Sequence, residues 1–127
     1  RADTPAKGGV IDAAKRGAVP AAEPALSHWA DAVWKLSKLP HVSIKLSGLG
    51  MYHPNWSAQN CRVIFQTIVD AFGPSRVMLG SNFPVDKLFK SYSEVVDIWN
   101  EWLGELSDHE QSEIRTGAAS RAYRLNL

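Results

Sequence analysis

The sequence has little of what marks a secreted, membrane-spanning or nucleic-acid-binding protein. It contains one cysteine, Cys61, so no disulfide can form within the chain, and its position in an apolar helical pattern predicts a buried thiol. No apolar run reaches the roughly 20 residues that a spanning helix needs, and residues 1–20 lack the apolar centre of a secretory signal. The 14 basic and 13 acidic residues are well mixed, which gives no reason to expect nucleic acid or a membrane as a partner. We expect a cytoplasmic protein.

The chain has the size and composition of one globular domain. Its 127 residues are 45% hydrophobic and 21% charged, which is enough apolar material for a core. Residues 1–23 are rich in Ala, Gly, Lys and Arg with little apolar periodicity. We therefore expect residues 1–23 to be a poorly ordered or divergent lead-in, and residues 24–127 to form the folded part.

Hydrophobic periodicity predicts helices alternating with two strands. From Pro24 onward apolar residues recur at three- and four-residue spacing, which predicts a helix that ends before Pro40. Residues 41–47 alternate between apolar and polar, as a strand does, and residues 51–56 read as a loop. A second helix is expected from a Ser57 cap to Gly73, followed by a strand over residues 77–79.

Two capping-box spacings predict the last helices. Ser91 with Glu94, and Ser107 with Glu110, each place a hydroxyl three residues before a carboxylate at a helix start. Gly117 is expected to separate the second of these helices from a final helical turn over residues 118–124.

This element order predicts an α/β fold with a parallel sheet. Two strands alone leave sheet edges unpaired and faces uncovered, so we expect the chain to be part of a larger sheet. The open edges would then be a route to pairing with a complementary chain or to a homo-oligomer.

The stretch from Val77 to Asp86 has the pattern of a site. Apolar residues able to form a buried strand lead directly into Gly80, Ser81 and Asn82, and Pro84 forces the chain out of the sheet. Strand alternation places Met78, Gly80 and Asn82 on one face, where the glycine leaves space for a ligand.

Two strings in the sequence resemble a known family. Residues 42–51 read VSIKLSGLGM and residues 72–86 read FGPSRVMLGSNFPVD, with AASRAYRL closing the chain at 118–125. Together they resemble the C-terminal part of the amidohydrolase-related (amidohydrolase 2) family of TIM-barrel hydrolases. The resemblance covers about residues 26–125. It implies that residues 42–47 and 77–81 are the seventh and eighth strands of a (β/α)8 barrel whose other strands are not in this sequence.

The resemblance implies hydrolysis of a small carboxylated or lactone substrate by attack of water on a carbonyl. Alternatives are decarboxylation within the same family, or a non-catalytic partial barrel that associates with another chain. The fragment alone would be inactive. The cofactor is left open, since the complete barrel would either hold a divalent metal such as zinc or work without metal. The family's metal-binding His-x-His motif does not occur here, and no histidine precedes His28.

The resemblance and the strand ends together select five candidate site residues and no metal ligand. Many family members carry Asp at the position of Asn82, whose amide cannot act as a base at neutral pH. Asn82 and His53 are the candidate catalytic residues; Lys45, Ser81 and Asp86 are the candidate substrate-binding residues.

Four of these candidates have plainer alternatives. Asn82 could be only a turn residue. Asp86 could be an exposed loop acid paired with Lys87 or Lys90. Lys45 should point into the barrel, where it could be half of a structural ion pair. His53 could belong to a surface turn.

Overall fold

The computed structural model describes residues 24–126 of the chain. The expected lead-in, residues 1–23, lies outside the described residues. The helices and strands, labelled in chain order, are α1 (Pro24–Ser37), β1 (Ile44–Leu46), α2 (Leu49–Tyr52), α3 (Arg62–Phe72), β2 (Val77–Leu79), α4 (Tyr92–Leu103), α5 (Asp108–Ser112) and α6 (Ala118–Tyr123). No helix among these is long and apolar enough to cross a membrane.

The two strands form a parallel pair, as the element order predicts. Ile44 lies opposite Val77 and Leu46 opposite Leu79, and α3 makes the crossover between them. The first strand is shorter than the predicted 41–47 because β2 offers only three partners. The carbonyl of Val42 instead accepts a hydrogen bond from the Arg76 guanidinium at 2.9 Å.

The helices cover one face of this small sheet. Leu46 and Val77 are buried with Phe65 and Ile68 of α3, and Val42 and Ile44 pack against the same core. Ser43, Lys45 and Ser47 are exposed on the opposite side. The predicted division, with apolar residues toward the helices and polar residues on the other face, is confirmed. Cys61 is also buried, as expected.

The connection from β1 to α3 differs from the prediction in two ways. The expected loop at 51–56 is helical at its start, because α2 runs over Leu49–Tyr52. Ser57 does not cap α3, which begins at Arg62. The Ser57 hydroxyl accepts from the Asn60 amide at 3.0 Å, and the Asn60 side chain accepts from the Ser57 amide at 2.7 Å. Their reciprocal pair closes a separate turn.

Both predicted capping boxes are present. Ser91 and Glu94 satisfy each other's backbone amides at the start of α4, and Ser107 and Glu110 do the same at α5. The last helix, α6, begins directly after Gly117, as predicted, but the backbone stays helical at Gly117 and does not break there. A π-helical turn, Glu113–Gly117, joins α5 to α6, and Gly117 has φ −59°. A Cβ on Gly117 would lie 2.9 Å from the Glu113 carboxylate, the end of a flexible side chain that can move aside.

Candidate active site

The carboxyl ends of β1 and β2 meet at one edge of the sheet. The Gly80 amide donates to the Leu46 carbonyl at 2.9 Å, which extends the pairing just past β2. A Cβ on Gly80 would lie 3.0 Å from the Ser47 hydroxyl and 3.3 Å from Lys45 Cδ. Lys45, Ser47 and Gly80 therefore share the face that the helices leave open.

Asn82 follows in a left-handed backbone conformation, with φ 57°, just before a cis Phe83–Pro84 peptide. Asparagine adopts this region more readily than most residues. Its side-chain Nδ2 donates to Asp86 Oδ1 at 2.9 Å, and a Cβ on Gly48 would lie 3.5 Å from the same nitrogen. Gly48 itself has φ +71°. Asn82 thus lies where the two strand ends converge.

Asp86 is the most buried of the candidate site residues. Its side chain is only 2% exposed, in a short 3-10 turn over Val85–Leu88. Its amide donates to the Asn82 carbonyl at 3.0 Å, so the two residues are joined through backbone and side chain alike. The alternative of an exposed loop acid paired with a lysine is wrong, because Asp86 is buried and bonded to Asn82.

Lys90, one of those two lysines, contacts an aromatic ring instead. Its Nζ lies 5.4 Å from the centroid of the Trp56 ring. Trp56 is buried, so the ammonium covers the outer face of the core between α2 and α3.

Ser81 helps to shape the turn after β2. Its hydroxyl oxygen accepts from the Phe83 amide at 3.2 Å, the geometry of a serine turn. The hydroxyl proton remains available to donate to a ligand.

Lys45 lies on the open face, where it is exposed rather than buried. Its Nζ donates to the Tyr123 hydroxyl at 3.3 Å and lies 5.8 Å from the centroid of that ring. The expected acid partner of Lys45 would come from a strand outside this sequence or from substrate, so the buried ion pair stays a prediction.

His53 ends the short helix α2. Its amide donates to the Leu49 carbonyl at 2.8 Å, and its ring lies 6.3 Å from that of Tyr52. The ring nitrogen Nδ1 is buried and has no hydrogen-bond partner within the described part of the chain. A buried ring nitrogen of this kind is suited to a ligand or water that the helix itself does not supply.

Gly50 and Phe89 hold α2 against the turn that carries Asp86. A Cβ on Gly50 would lie 2.3 Å from the Phe89 ring, so only glycine allows this approach. Neither residue is among the candidates that the sequence pattern indicates. The Gly-x-Gly spacing at Gly48 and Gly50 after a strand is the signal that could have indicated a close backbone contact.

The described residues do not form a metal centre by themselves. Among residues 24–126, no group of three or more His, Cys, Asp or Glu side chains is placed to hold a metal ion. The Asn82–Asp86 pair offers one amide and one carboxylate, which is fewer ligands than the three or four of a zinc site.

An apolar groove of about 420 Å³ runs beside β1, on the edge away from β2. It is lined by Leu26, Trp29, Ile44, Lys45, Leu46, Ser47, Gly48, Leu49, Tyr52, Ile64 and Ile68. This groove, called the β1 groove below, lies where a further strand of a larger sheet would pack.

Polar side chains gathered at the carboxyl ends of helix-connected parallel strands are typical of α/β enzymes. A family profile described as amidohydrolase matches residues 9–125. The chain belongs to the amidohydrolase family.

Two curated relatives are similar over most of this chain. The L-fucono-1,5-lactonase of Burkholderia multivorans is 41% identical over 109 residues, which cover 80% of this chain and 36% of the relative. The uncharacterized protein y4mH of Sinorhizobium fredii is 37% identical over 97 residues, covering 76% of this chain and 33% of its own length. The chain thus spans about a third of the length of these relatives.

Two solved structures of an amidohydrolase from Burkholderia multivorans share the fold. One, with bound zinc, has a TM-score of 0.73 at 37% identity and covers 85% of this chain and 40% of that chain. The other, with bound HEPES, has the same score and identity and covers 92% of this chain and 44% of that chain.

Proposed function

We propose that this chain is the C-terminal part of a TIM-barrel amidohydrolase that hydrolyses a small lactone or carboxylated substrate. The observation that carries the proposal is the meeting of Gly48, Asn82 and Asp86 at the carboxyl ends of two parallel strands, because TIM-barrel active sites lie at that rim. The 41% identity to a lactonase supports the choice of lactone.

The two strands would be the seventh and eighth of the barrel. Their parallel pairing, the helical crossover and the helices on one face only are features of a barrel wall. The uncovered face with Lys45 would point into the barrel, and the β1 groove would receive the neighbouring strand.

The proposed chemistry is attack of water on the substrate carbonyl at this rim. Asn82 would orient the water or the carbonyl by hydrogen bonds, since an amide donates and accepts but does not take a proton at neutral pH. His53 would accept the proton from this water, since an imidazole can take up a proton near neutral pH. Lys45 and Ser81 would contact the substrate, with the Lys45 ammonium stabilising negative charge on it. Asp86, which is buried and bonded to Asn82, would act on the substrate through Asn82.

A zinc ion in the complete protein would need ligands from outside residues 24–126. A related structure contains zinc, but the described residues do not supply a ligand set for it. In this proposal Asn82 and His53 act on substrate and water, and no step passes through a metal.

A chimera tests the proposal. The segment of the Burkholderia multivorans lactonase that this chain matches would be replaced by the corresponding residues of this chain, and hydrolysis of L-fucono-1,5-lactone measured. We expect an active chimera in which Asn82→Ala lowers kcat about 100-fold, the size of effect of one oriented hydrogen-bond group. Asn55→Ala, in an exposed turn, is the control. Equal activity of the two variants would reject the role of Asn82.

The isolated chain should be inactive, because most of a barrel rim would be missing from it. Hydrolysis of a lactone panel by the 127-residue chain alone would contradict this part of the proposal.

A second candidate function is a non-catalytic partial barrel that associates through its open edge. The β1 groove favours it, since a 420 Å³ apolar groove beside an unpaired strand edge is a surface for another chain or a second copy.

A further inference from the structure

Asn82 and Asp86 are joined by two hydrogen bonds, one through the backbone and one through the side chains. The Asp86 amide donates to the Asn82 carbonyl at 3.0 Å, and Asn82 Nδ2 donates to Asp86 Oδ1 at 2.9 Å. Asp86 is 2% exposed, so water contributes little to the solvation of its carboxylate. Among residues 24–126, the side chain that donates a hydrogen bond to this carboxylate is Asn82.

The direction of this hydrogen bond fixes the orientation of the amide. A carboxylate has only acceptors, so Asn82 must present its NH2 group to Asp86. The amide is planar, and its Oδ1 then points away from Asp86. Within residues 24–126 this oxygen accepts no hydrogen bond shorter than 3.5 Å. Gly48, whose Cβ position would lie 3.5 Å from Nδ2, leaves space beside the nitrogen.

We propose that Asp86 is a positioning residue that holds the Asn82 amide with its oxygen toward the mouth, as an acceptor for a hydroxyl of substrate or for the attacking water. This inference rests on the proposed function for the identity of the ligand. It also gives a physical reason for an amide at position 82. An aspartate at 82 would lie within hydrogen-bond distance of a buried carboxylate, and two such charges repel.

The proposal predicts a particular pattern of stability in the full 127-residue chain. Asn82→Asp should lower Tm by roughly 5 °C or more at neutral pH, on the usual scale for a domain of this size. The exchanged pair, Asn82→Asp with Asp86→Asn, restores one amide and one carboxylate, and should recover more than half of that loss. Asn55→Asp makes the same chemical change in an exposed turn and should leave Tm within about 1 °C.

A spectroscopic measurement separates positioning from a purely structural role for Asp86. In NMR spectra of the 15N-labelled chain, the Asn82 side-chain NH2 signals should shift in Asp86→Asn, which keeps the shape of the side chain. Exchange of their protons with water should become at least several-fold faster in Asp86→Ala. A residue that only stabilised the turn through its backbone would leave these signals unchanged.

Two results would overturn the inference. One is a Tm of the exchanged pair no higher than that of Asn82→Asp. The other is Asn82 NH2 signals with the same shift in Asp86→Asn and the same exchange rate in Asp86→Ala as in the native chain. Neither measurement needs catalytic activity. A chimera without lactonase activity would reject the proposed function and leave the Asn82–Asp86 pair to be decided by Tm and NMR.

Discussion

Arg76 joins the end of α1 to the start of β1. Its guanidinium donates to the carbonyls of Ser37, Leu39 and Val42 at 2.8, 2.9 and 2.9 Å, and it lies 4.9 Å from the centroid of the Phe72 ring. The positive charge satisfies carbonyls at a helix C-terminus, where cations are favourable. One side chain therefore sets the direction in which the chain enters the sheet.

Replacing Arg76 tests this role. Arg76→Ala should lower the free energy of unfolding by about 2 kcal/mol, because three carbonyls lose a charged donor, and the partial exposure of Arg76 keeps the loss below the sum of the bonds. Arg76→Lys should lose most of the same energy, since an ammonium lacks the planar fork. Urea unfolding measures both.

Arg115→Ala is the control for this prediction. Arg115 is exposed and bonds only to the side chains of Asn100 and Gln111 among the described residues, so its loss should cost less than about 0.5 kcal/mol. If Arg76→Lys has the same free energy of unfolding as the native chain, the planar guanidinium of Arg76 is not needed.

Gly50 provides a second prediction at the level of one residue. Gly50→Ala should destabilise the chain by about 1–3 kcal/mol, since the new methyl would lie 2.3 Å from the Phe89 ring. The same change in a Phe89→Ala background should cost much less, because the clash is gone. Thermal unfolding of the four proteins tests this, and an equal cost in both backgrounds would contradict it.

At the level of elements, the capping box of α4 makes stability depend on pH. Hydrogen bonds from the backbone amide and side chain of Ser91 lower the pKa of Glu94 below its ordinary value of 4.5, and Lys90 adds to this. A lowered pKa in the folded state means that ionised Glu94 stabilises the fold above about pH 4.5, and that this stabilisation is lost as pH falls through the lowered pKa.

Glu94→Gln measures this contribution. We expect the native chain to be more stable than the variant at neutral pH, and the difference to shrink as the pH is lowered from about 5 to 3. In a Ser91→Ala background the pH-dependent difference should largely disappear, since Ser91 supplies the bonds that lower the pKa. Urea unfolding as a function of pH gives both differences. A constant difference across this range would contradict the prediction.

The sequence predicted those elements whose signals are local. Helices α1, α4 and α5, strand β2 and the parallel pairing followed from periodicity and from capping residues that lie within one turn of each other. The predictions from sequence failed where the bounds of an element depend on contacts with residues outside it. Gly117 looked like a break, but the backbone stays helical there, in a π-helical turn over Glu113–Gly117. β1 ends where its partner ends, which no property of residues 41–47 reveals.

At the level of the whole molecule, the β1 groove leaves apolar surface without a cover among residues 24–126. Tyr52, which is 51% exposed, stands at its border. If the open edge pairs with a second copy, sedimentation velocity should show association that increases with concentration. Tyr52→Glu should weaken it about tenfold, the loss of roughly 1.4 kcal/mol at an interface.

Leu88→Glu is a matched control for this prediction. Leu88 is 81% exposed and does not line the groove. Leu88→Glu therefore introduces the same charge at an apolar surface position outside the groove. Equal effects of the two variants would show that association does not use the β1 groove. A monomer at all concentrations would reject self-association.

The position of Asn82 in the candidate site was predictable from the sequence. Its hydrogen bond to a buried Asp86 was not. Strand alternation and the polar cluster correctly indicated that Asn82 lies at the strand ends. The burial of Asp86 was not predictable, because it depends on the left-handed turn at Asn82 and on Phe89 packing against Gly50. The sequence does not show how far the loop after β2 folds back, and so it does not show that Asp86 becomes buried.

The left-handed backbone at Asn82 also limits how this position can evolve. Of the non-glycine residues, asparagine and aspartate accept such a conformation with the least strain, and their codons differ by a single base. The main chain therefore permits the site to alternate between an amide and an acid without refolding the turn. An acid at 82 would place a second carboxylate beside Asp86, so the proposal predicts that an acid at 82 is tolerated best when residue 86 is neutral.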